Sequence, residues 1–173
     1  MSFLIKKCPW LILLITFLLS GCGFHLQDKT EVPKQFKTMS LYSLEPYSAL
    51  VRDVKYALKI NGVNLVDATD DVSVPSLRLM QYEISRNTVS VYQDGKAAEY
   101  QLILDVDAQV VIAGKDIYPI KVKIFRSFFD NPAAALAKDT EQNLIKNEMY
   151  SQAAEQLIRK LKAVNVTDQK STQ

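Results

Sequence analysis

Residues 98–112 alternate between apolar and polar side chains, and this pattern limits the possible folds more than any other in the chain. Successive side chains of a strand point to opposite faces, so one long strand is predicted, with one buried and one solvated face. At about 3.3 Å per residue it spans roughly 50 Å, which is longer than a small domain is wide. The apolar even positions are Ala98, Tyr100, Leu102, Leu104, Val106, Ala108, Val110 and Ile112.

Two more strands are predicted beside this one. Residues 76–92 also have a strand pattern, but their apolar parity changes between Leu79 and Met80, which predicts a bulge or a twist. Asp94-Gly95 lies between the two segments and is a favoured hairpin turn. A third strand follows a turn at 113–116, with Ile120, Val122 and Ile124 inward and Lys121 and Lys123 outward. The tip of this three-stranded meander is expected to project beyond the helices.

Two helices and a first strand complete the predicted fold. A strand is expected over 36–43, a helix begins after Pro46 and stops at Asn61-Gly62, and residues 63–66 are a candidate short strand. An apolar stripe at helical spacing predicts a second helix from Thr140, after a cap at 130–132. The predicted class is a two-layer α/β (α+β) domain: a mostly antiparallel or mixed four-stranded sheet with long strands, and two helices on one face.

The N-terminus carries the pattern of a bacterial lipoprotein signal. Lys6 and Lys7 precede an apolar stretch that ends in Leu18-Leu19-Ser20-Gly21-Cys22, and the apolar core at 9–19 is too short to span a bilayer. Cys22 is therefore predicted to carry lipid; the alternative is an ordinary secretory signal with a chance cysteine. The predicted organisation is a signal at 1–21, a lipidated tether at 22–35, one domain at 36–163 and a disordered tail at 164–173.

Charge and cysteine content restrict the function of the processed chain. The whole sequence has 21 Lys and Arg against 19 Asp and Glu; removing the two signal lysines leaves 19 of each sign. A chain with no net charge provides no bulk field for nucleic acid, so no nucleic-acid partner is expected. Cys8 leaves with the signal and Cys22 takes the lipid, so no disulfide is expected.

No pattern typical of a catalytic site is visible. His25 is the only histidine and lies three residues beyond the predicted lipid. Asp105 and Asp107 share a strand face and could serve acid–base or metal chemistry, but they alternate with other polar residues as a solvated strand surface does. Metal-ligand spacing and glycine-rich phosphate loops are missing. The sequence predicts no enzyme activity, no cofactor and no metal.

Two groups of residues depart from an ordinary surface. Phe125-Arg126-Ser127-Phe128-Phe129 places aromatic side chains on both faces at a strand end, which fits either a closed core end or a docking surface. The second group is basic, and its members either converge on phosphates of an anionic lipid or are scattered solubilising charges. It consists of Arg86, Lys96, Lys115, Lys121, Lys123 and Lys138.

Several sequence runs resemble one family closely, the lipopolysaccharide-assembly lipoproteins called LptE. The most specific run is Phe-Arg-Ser-Phe-Phe-Asp-Asn-Pro at 125–132. Others, in order along the chain, are Gly-Cys-Gly-Phe-His-Leu at 21–26, Leu-Lys-Ile-Asn-Gly-Val at 58–63, Val-Pro-Ser-Leu-Arg-Leu at 74–79, Ala-Glu-Tyr-Gln at 98–101, Asp-Ile-Tyr-Pro-Ile at 116–120 and Ala-Ala-Glu-Gln-Leu-Ile-Arg-Lys-Leu at 153–161.

The resemblance implies a role that no periodicity predicts. LptE-like proteins plug the β-barrel LptD in the outer membrane, help it assemble and take part in placing lipopolysaccharide in the outer leaflet. Gly23 resembles an outer-membrane sorting position, which implies a lipid-anchored protein on the periplasmic side of that membrane. The barrel-contact candidates are Tyr118, Phe125, Arg126, Phe128 and Phe129.

The family's lipopolysaccharide contacts are attributed to basic residues. Lys138 matches one such position, whereas Gln93 occupies the second, in the hairpin, where nearby Lys96 could substitute. Two other functions stay open on the sequence: a free periplasmic lipid-binding or chaperone lipoprotein that acts without a barrel, and a lipoprotein enzyme that acts on envelope polymers.

Overall fold

A five-stranded mixed sheet forms one layer of the domain, with strand order β2-β1-β3-β4-β5. The strands are β1 (Thr38–Ser43), β2 (Asn64–Val66), β3 (Ser76–Val91), β4 (Ala97–Val111) and β5 (Ile117–Phe129). β1 pairs in parallel with β2 and β3, whereas β3, β4 and β5 form the expected antiparallel meander. The two-layer α+β class is therefore confirmed. The sheet has five strands instead of four, because the short segment after the first helix pairs with β1 through Met39 and Leu65.

The computed structural model describes residues 32–67, 74–112, 117–130 and 135–164. The predicted signal, Cys22, Gly23 and His25 lie outside these ranges, as do Lys115, the 113–116 turn, the 131–132 part of the cap and residues 165–173 of the predicted tail. The described part begins with a buried residue, Val32, and a 3-10 turn at Lys34–Phe36 whose Phe36 side chain is fully buried. β1 consequently starts at Thr38, two residues after its predicted start.

Helix α1 (Ala49–Ile60) and helix α2 (Ala135–Lys162) form the second layer and pack against each other. Helix α1 begins after Ser48, whose hydroxyl accepts a hydrogen bond from the Val51 amide, and not directly after Pro46. It ends as expected at Asn61-Gly62, where Gly62 has a φ of +77°. Helix α2 begins five residues before Thr140, because residues 135–137 (Ala-Leu-Ala) favour helix strongly.

The buried core lies between the helices and one face of the sheet. Leu102, Leu104, Val106 and Val110 of β4 are buried there, whereas Asp105 and Asp107 on the same strand are exposed on the open face. Ile120, Val122 and Ile124 of β5 are also buried. The alternation therefore assigned the inner and outer faces of these strands correctly.

The β3–β4 hairpin extends past the part of the sheet that the helices cover. All residues from 85 to 96 are exposed. The turn closes through the Tyr92 amide, which donates to the Lys96 carbonyl at 2.7 Å, and Gly95 has a φ of +82°. The predicted irregularity in β3 is a bulge at Met80, because Leu79 pairs with Ala108 while Gln81 pairs with the next residue, Asp107. The candidate site lies at the base of this hairpin, where the start of helix α2 meets the sheet.

Candidate functional site

Two cations and two aromatic rings form a continuous row across three strands and a helix, which we call the cation–aromatic row. The Arg86 guanidinium carbon lies 4.3 Å from the centre of the Tyr100 ring. Tyr100 stacks on Phe128, with ring centres 6.4 Å apart and planes 15° from parallel. The Lys138 Nζ lies 5.4 Å from the centre of the Phe128 ring. Both cations are within the range at which a ring face attracts a positive charge.

The strand register explains why these residues meet. Tyr100 pairs directly with Phe128, and Arg86 pairs with Leu102, one step of the same face further toward the core. Because Tyr100 and Leu102 share the helix-facing side of β4, Arg86 reaches the ring from that side. Helix α2 supplies Lys138 from its second turn, directly over Phe128.

The two cations differ in their surroundings. The Lys138 Nζ also contacts the Glu141 Oε2 at 2.7 Å, and its side chain is only 22% exposed. Arg86 is exposed and, within the described part of the chain, forms no ion pair with a carboxylate. An ammonium has three N–H donors, so Lys138 keeps donors available beside the Glu141 contact. The row therefore carries two positive charges, with the Glu141 carboxylate beside one of them, and it is suited to an anion.

The aromatic run at the end of β5 divides between the two faces of the sheet. Phe128 is 4% exposed and closes the core end on the helix side, where Arg126 is half-buried and donates from its guanidinium to the Phe125 carbonyl at 3.1 Å. Phe125 and Phe129 are 49% and 62% exposed on the open face. Phe128 thus closes the core end, whereas the exposed Phe125 and Phe129 remain available to the docking-surface interpretation.

The carboxylates that were candidates for acid–base chemistry are engaged on the open face. The Asp105 Oδ1 lies 2.9 Å from the Lys123 Nζ, and the Asp107 Oδ1 lies 3.4 Å from the Lys121 Nζ. Each pair joins residues that are direct register partners on β4 and β5. The two aspartates therefore belong to a ladder of cross-strand ion pairs, the arrangement expected of a solvated strand surface.

The remaining candidates do not join the row. Lys96 lies in the hairpin turn, where its Nζ is 3.2 Å from the Asp94 Oδ2, and Gln93 precedes it in the same turn. Tyr118 is half-buried at the opposite end of β5, paired with Val110 and packed against the core. The structure thus brings Lys138 together with Phe128 but not with Lys96.

The residue patterns mark Arg86, Phe128 and Lys138 as candidates without connecting them, and they place Tyr100 only on the buried face of its strand. A register counted back from the Asp94-Gly95 turn does place Tyr100 opposite its partner Thr88, because the two register shifts at Ser90 cancel. It does not give the register between β4 and β5, so it leaves Phe128 unplaced beside Tyr100. The aromatic side chain at an even position of β4 was the available signal.

The described residues contain neither a metal-binding cluster nor a membrane-spanning helix. No cluster of three or more His, Cys, Asp or Glu side chains in these ranges could hold a metal ion. No helix in the same ranges is long and apolar enough to cross a membrane.

Comparison with known proteins identifies the family. Residues 36–161 match the family model described as LptE, lipopolysaccharide-assembly. The chain is 49% identical over 152 residues to the LPS-assembly lipoprotein LptE of Pectobacterium atrosepticum, covering 88% of this chain and 83% of that protein. It is 45% identical over 154 residues to the LptE of Yersinia pestis, covering 89% and 74%.

A solved structure has the same fold. The crystal structure of the rare lipoprotein B from Shewanella oneidensis superposes with a TM-score of 0.67 and 39% identity, covering 73% of this chain and 94% of that one. Sequence, family model and fold agree over the region that contains the cation–aromatic row. The chain belongs to the LptE family of lipopolysaccharide-assembly lipoproteins.

Proposed function

We propose that this protein is a non-catalytic subunit of the lipopolysaccharide translocon of the outer membrane. In this role it occupies the lumen of an LptD-like barrel, helps that barrel assemble and binds lipopolysaccharide during its insertion in the outer leaflet. Family membership supports a role in lipopolysaccharide assembly. The single observation that carries the binding part of the proposal is Lys138, held over the Phe128 ring at the edge of the core.

The surroundings of Lys138 suit a phosphate-bearing lipid. A phosphate oxygen accepts strong hydrogen bonds from an ammonium, and partial burial of that ammonium strengthens the attraction relative to open water. Glu141 and Phe128 hold the amine in one place, so little side-chain entropy is lost when a ligand binds. Lys138 is therefore the residue we assign to lipopolysaccharide, and Lys96 at the hairpin tip is a second, separate candidate.

The open face of the sheet suits contact with a barrel wall. Its charges compensate one another in the Asp105–Lys123 and Asp107–Lys121 pairs, so it is polar without a strong net charge. Phe125 and Phe129 add exposed aromatic area at one end. The interior of a large barrel is polar, and aromatic side chains often dominate the energy of an interface. Tyr118, Arg126 and Phe128 are the remaining barrel-contact candidates, and their burial makes them the less accessible ones.

The anchor completes the proposed location. Acylation of Cys22 on its sulfur and its new amine would supply more than the two lipid chains needed for stable attachment. The protein would then lie on the periplasmic side of the outer membrane, with the domain close to the inner leaflet. Mass spectrometry of the processed N-terminus tests this part, because an unmodified Cys22 thiol on a species free of membrane would contradict it.

Photocrosslinking in living cells tests the contacts. A photoreactive residue placed at Phe125 or Ser127 on the open face should yield adducts with a large barrel protein, and one placed at Thr88, opposite Tyr100, should yield lipopolysaccharide adducts. Position Tyr47, before helix α1, is almost fully exposed and serves as the control for random capture. Barrel adducts at Tyr47 but at neither open-face position would contradict the proposed docking.

A free periplasmic lipid-binding or chaperone lipoprotein is the second candidate function. One observation favours it: every residue of the cation–aromatic row comes from this chain, so the row needs no barrel to be complete. Purification in a mild detergent separates the two candidates. Recovery of a large barrel protein in a stable ratio supports the translocon subunit, whereas purification of the lipoprotein alone supports the free one.

A further inference from the structure

We infer that Arg86 is a second ligand-binding residue, and that Arg86 and Lys138 together take an amphiphile that carries two phosphate groups. The inference rests on the proposed function, since it enlarges the binding site assigned there to Lys138. Its basis is the cation–aromatic row, in which Arg86 lies over one ring of the stacked pair and Lys138 lies over the other.

The Arg86 guanidinium is held in place by an aromatic ring, and this contact does not occupy its hydrogen-bond donors. The Tyr100 ring holds the guanidinium at 4.3 Å, and no carboxylate in the described ranges pairs with it. A guanidinium has five N–H donors in a planar fork that matches a phosphate, and stacking on a ring leaves the edge of that fork free. Arg86 is thus oriented and has unused donors, which are the properties of a phosphate-binding residue.

The attachment of the two charges to different rings points to two anionic groups on one ligand. Arg86 contacts the Tyr100 ring and Lys138 contacts the Phe128 ring, and the ring centres lie 6.4 Å apart, so each cation can take a phosphate group of its own. A ligand with two phosphate groups on one framework can contact both cations at once. Such a ligand loses less entropy than two separate phosphates, because the second contact is intramolecular.

Apolar side chains beyond the row indicate that the ligand also has a lipid part. Val89 and Val91 are exposed on β3, the strand that carries Arg86, and Tyr92 is exposed directly after the end of that strand. Water-exposed apolar groups of this kind gain free energy when acyl chains cover them. The site therefore combines two cations with exposed apolar side chains further along the same hairpin, as an amphiphile with a phosphorylated head group requires.

Equilibrium binding by the full-length protein in nonionic detergent tests the inference. The probes are lipid A with two phosphates, its monophosphoryl form and inorganic pyrophosphate. The variants are Arg86→Gln, Lys138→Gln and Lys121→Gln; the last removes one exposed charge from the opposite face of the sheet and serves as the matched control. Circular dichroism verifies that each variant is folded, which is expected for Arg86→Gln because that side chain is exposed.

Arg86→Gln should weaken binding of the bisphosphoryl lipid about tenfold, the effect of losing one charge-assisted contact, and Lys121→Gln should leave it unchanged. Binding of the monophosphoryl form to Arg86→Gln should stay within about threefold of the unaltered protein, because Lys138 still offers one contact. Pyrophosphate should not displace the lipid at equal concentration; if it does, a lipid ligand is excluded.

The possible failures are distinguishable. If Lys138→Gln loses the bisphosphoryl lipid while Arg86→Gln retains it, the inference about Arg86 is overturned and the proposed function stands. If the unaltered, folded protein binds neither lipid, both are overturned. Equal loss of the two lipids in Arg86→Gln would also overturn the two-phosphate assignment, since one contact would then serve either ligand.

Discussion

The Lys162 amine donates a hydrogen bond of 2.9 Å to the side-chain carbonyl oxygen of Asn61 and so joins the last turns of the two helices. The Asn61 side-chain NH₂ in turn donates to the Ala57 carbonyl at 2.8 Å, and the Asn61 backbone N–H donates to the same carbonyl at the end of helix α1. One asparagine therefore ends a helix and fixes the position of the other helix against it.

Lys162→Met should lower the free energy of unfolding by about 1 kcal/mol, because it leaves the Asn61 oxygen without its partner while it keeps the apolar stem. In an Asn61→Ala background the same substitution should cost almost nothing, since the partner is already absent. Urea denaturation of the two single variants and the double variant gives the coupling. Exposed Lys160→Met is the control, and an equal loss there would contradict the role of the hydrogen bond.

The sequence pattern predicted burial well wherever the apolar period within a single strand or helix determines which of its faces is buried. The faces of β4 and β5, the stop at Asn61-Gly62 and the irregularity in β3 were all predictable from apolar parity and turn residues. The parallel pairing of β2 with β1 was not, because it depends on how helix α1 crosses between them. Three residues are too few to show a period, so only tertiary pairing defines that strand.

The cation–aromatic row could not be assembled from sequence for a related reason. Tyr100 and Phe128 are partners through the register between β4 and β5, which a pattern within one strand does not give, and Lys138 reaches Phe128 only because helix α2 begins before Thr140. A pattern of residue types indicates a face and an element. It does not measure the offset between two elements, and the site depends on that offset.

Deletion of Met80 should cost less stability than deletion of Arg78. Met80 is the extra residue of the bulge, so without it Leu79 and Gln81 follow each other opposite Ala108 and Asp107, and every other side chain keeps its face. Without Arg78, one of the buried Leu77 and Leu79 must turn to the open face, which costs about 2–5 kcal/mol. Denaturant titration compares the two deletions; equal losses would show that the bulge is not the source of the parity change.

Stability at high pH should depend on Tyr82. Burial raises the pKa of Tyr82 above its ordinary value of 10.0, and its hydrogen bond of 2.6 Å to Glu45 raises it further. Burial also raises the pKa of Tyr150, whose ring meets the Tyr82 ring edge to face. The folded state therefore keeps protons that the unfolded chain releases first. This contribution is complete below pH 10 and is lost as the pH rises through the higher folded values.

Urea denaturation between pH 8 and pH 11 measures this loss. Tyr82→Phe should make the decline of the unfolding free energy shallower, because a group that ionises more easily in the unfolded chain has been removed. Tyr56→Phe removes an exposed hydroxyl on helix α1 and is the comparison. A decline that is equally steep in Tyr82→Phe and in the unaltered protein would count against the contribution of Tyr82.

Lys138→Glu should reduce lipopolysaccharide binding by at least about tenfold, because it replaces a cation with an anion and places it beside Glu141. Lys160→Glu, an exposed position on the same helix, makes the same change of charge away from the row. Binding of lipopolysaccharide by the full-length protein in nonionic detergent measures both. Unchanged binding by Lys138→Glu would show that Lys138 is not part of the proposed site. An equal loss in Lys160→Glu would show that the loss comes from the change of net charge and not from the position.

Alanine substitution at the end of β5 should lower the unfolding free energy much more on the helix side of the sheet than on the open face. Phe128→Ala empties a buried site and should cost about 3–5 kcal/mol of unfolding free energy, whereas Phe125→Ala and Phe129→Ala on the open face should cost less than about 1 kcal/mol. If the open face docks in a barrel, the double variant of Phe125 and Phe129 should accumulate normally yet recover less barrel protein in mild detergent. Undiminished recovery from that stable double variant would assign the barrel contact to another surface, because the largest exposed aromatic area of this face would then have no part in docking.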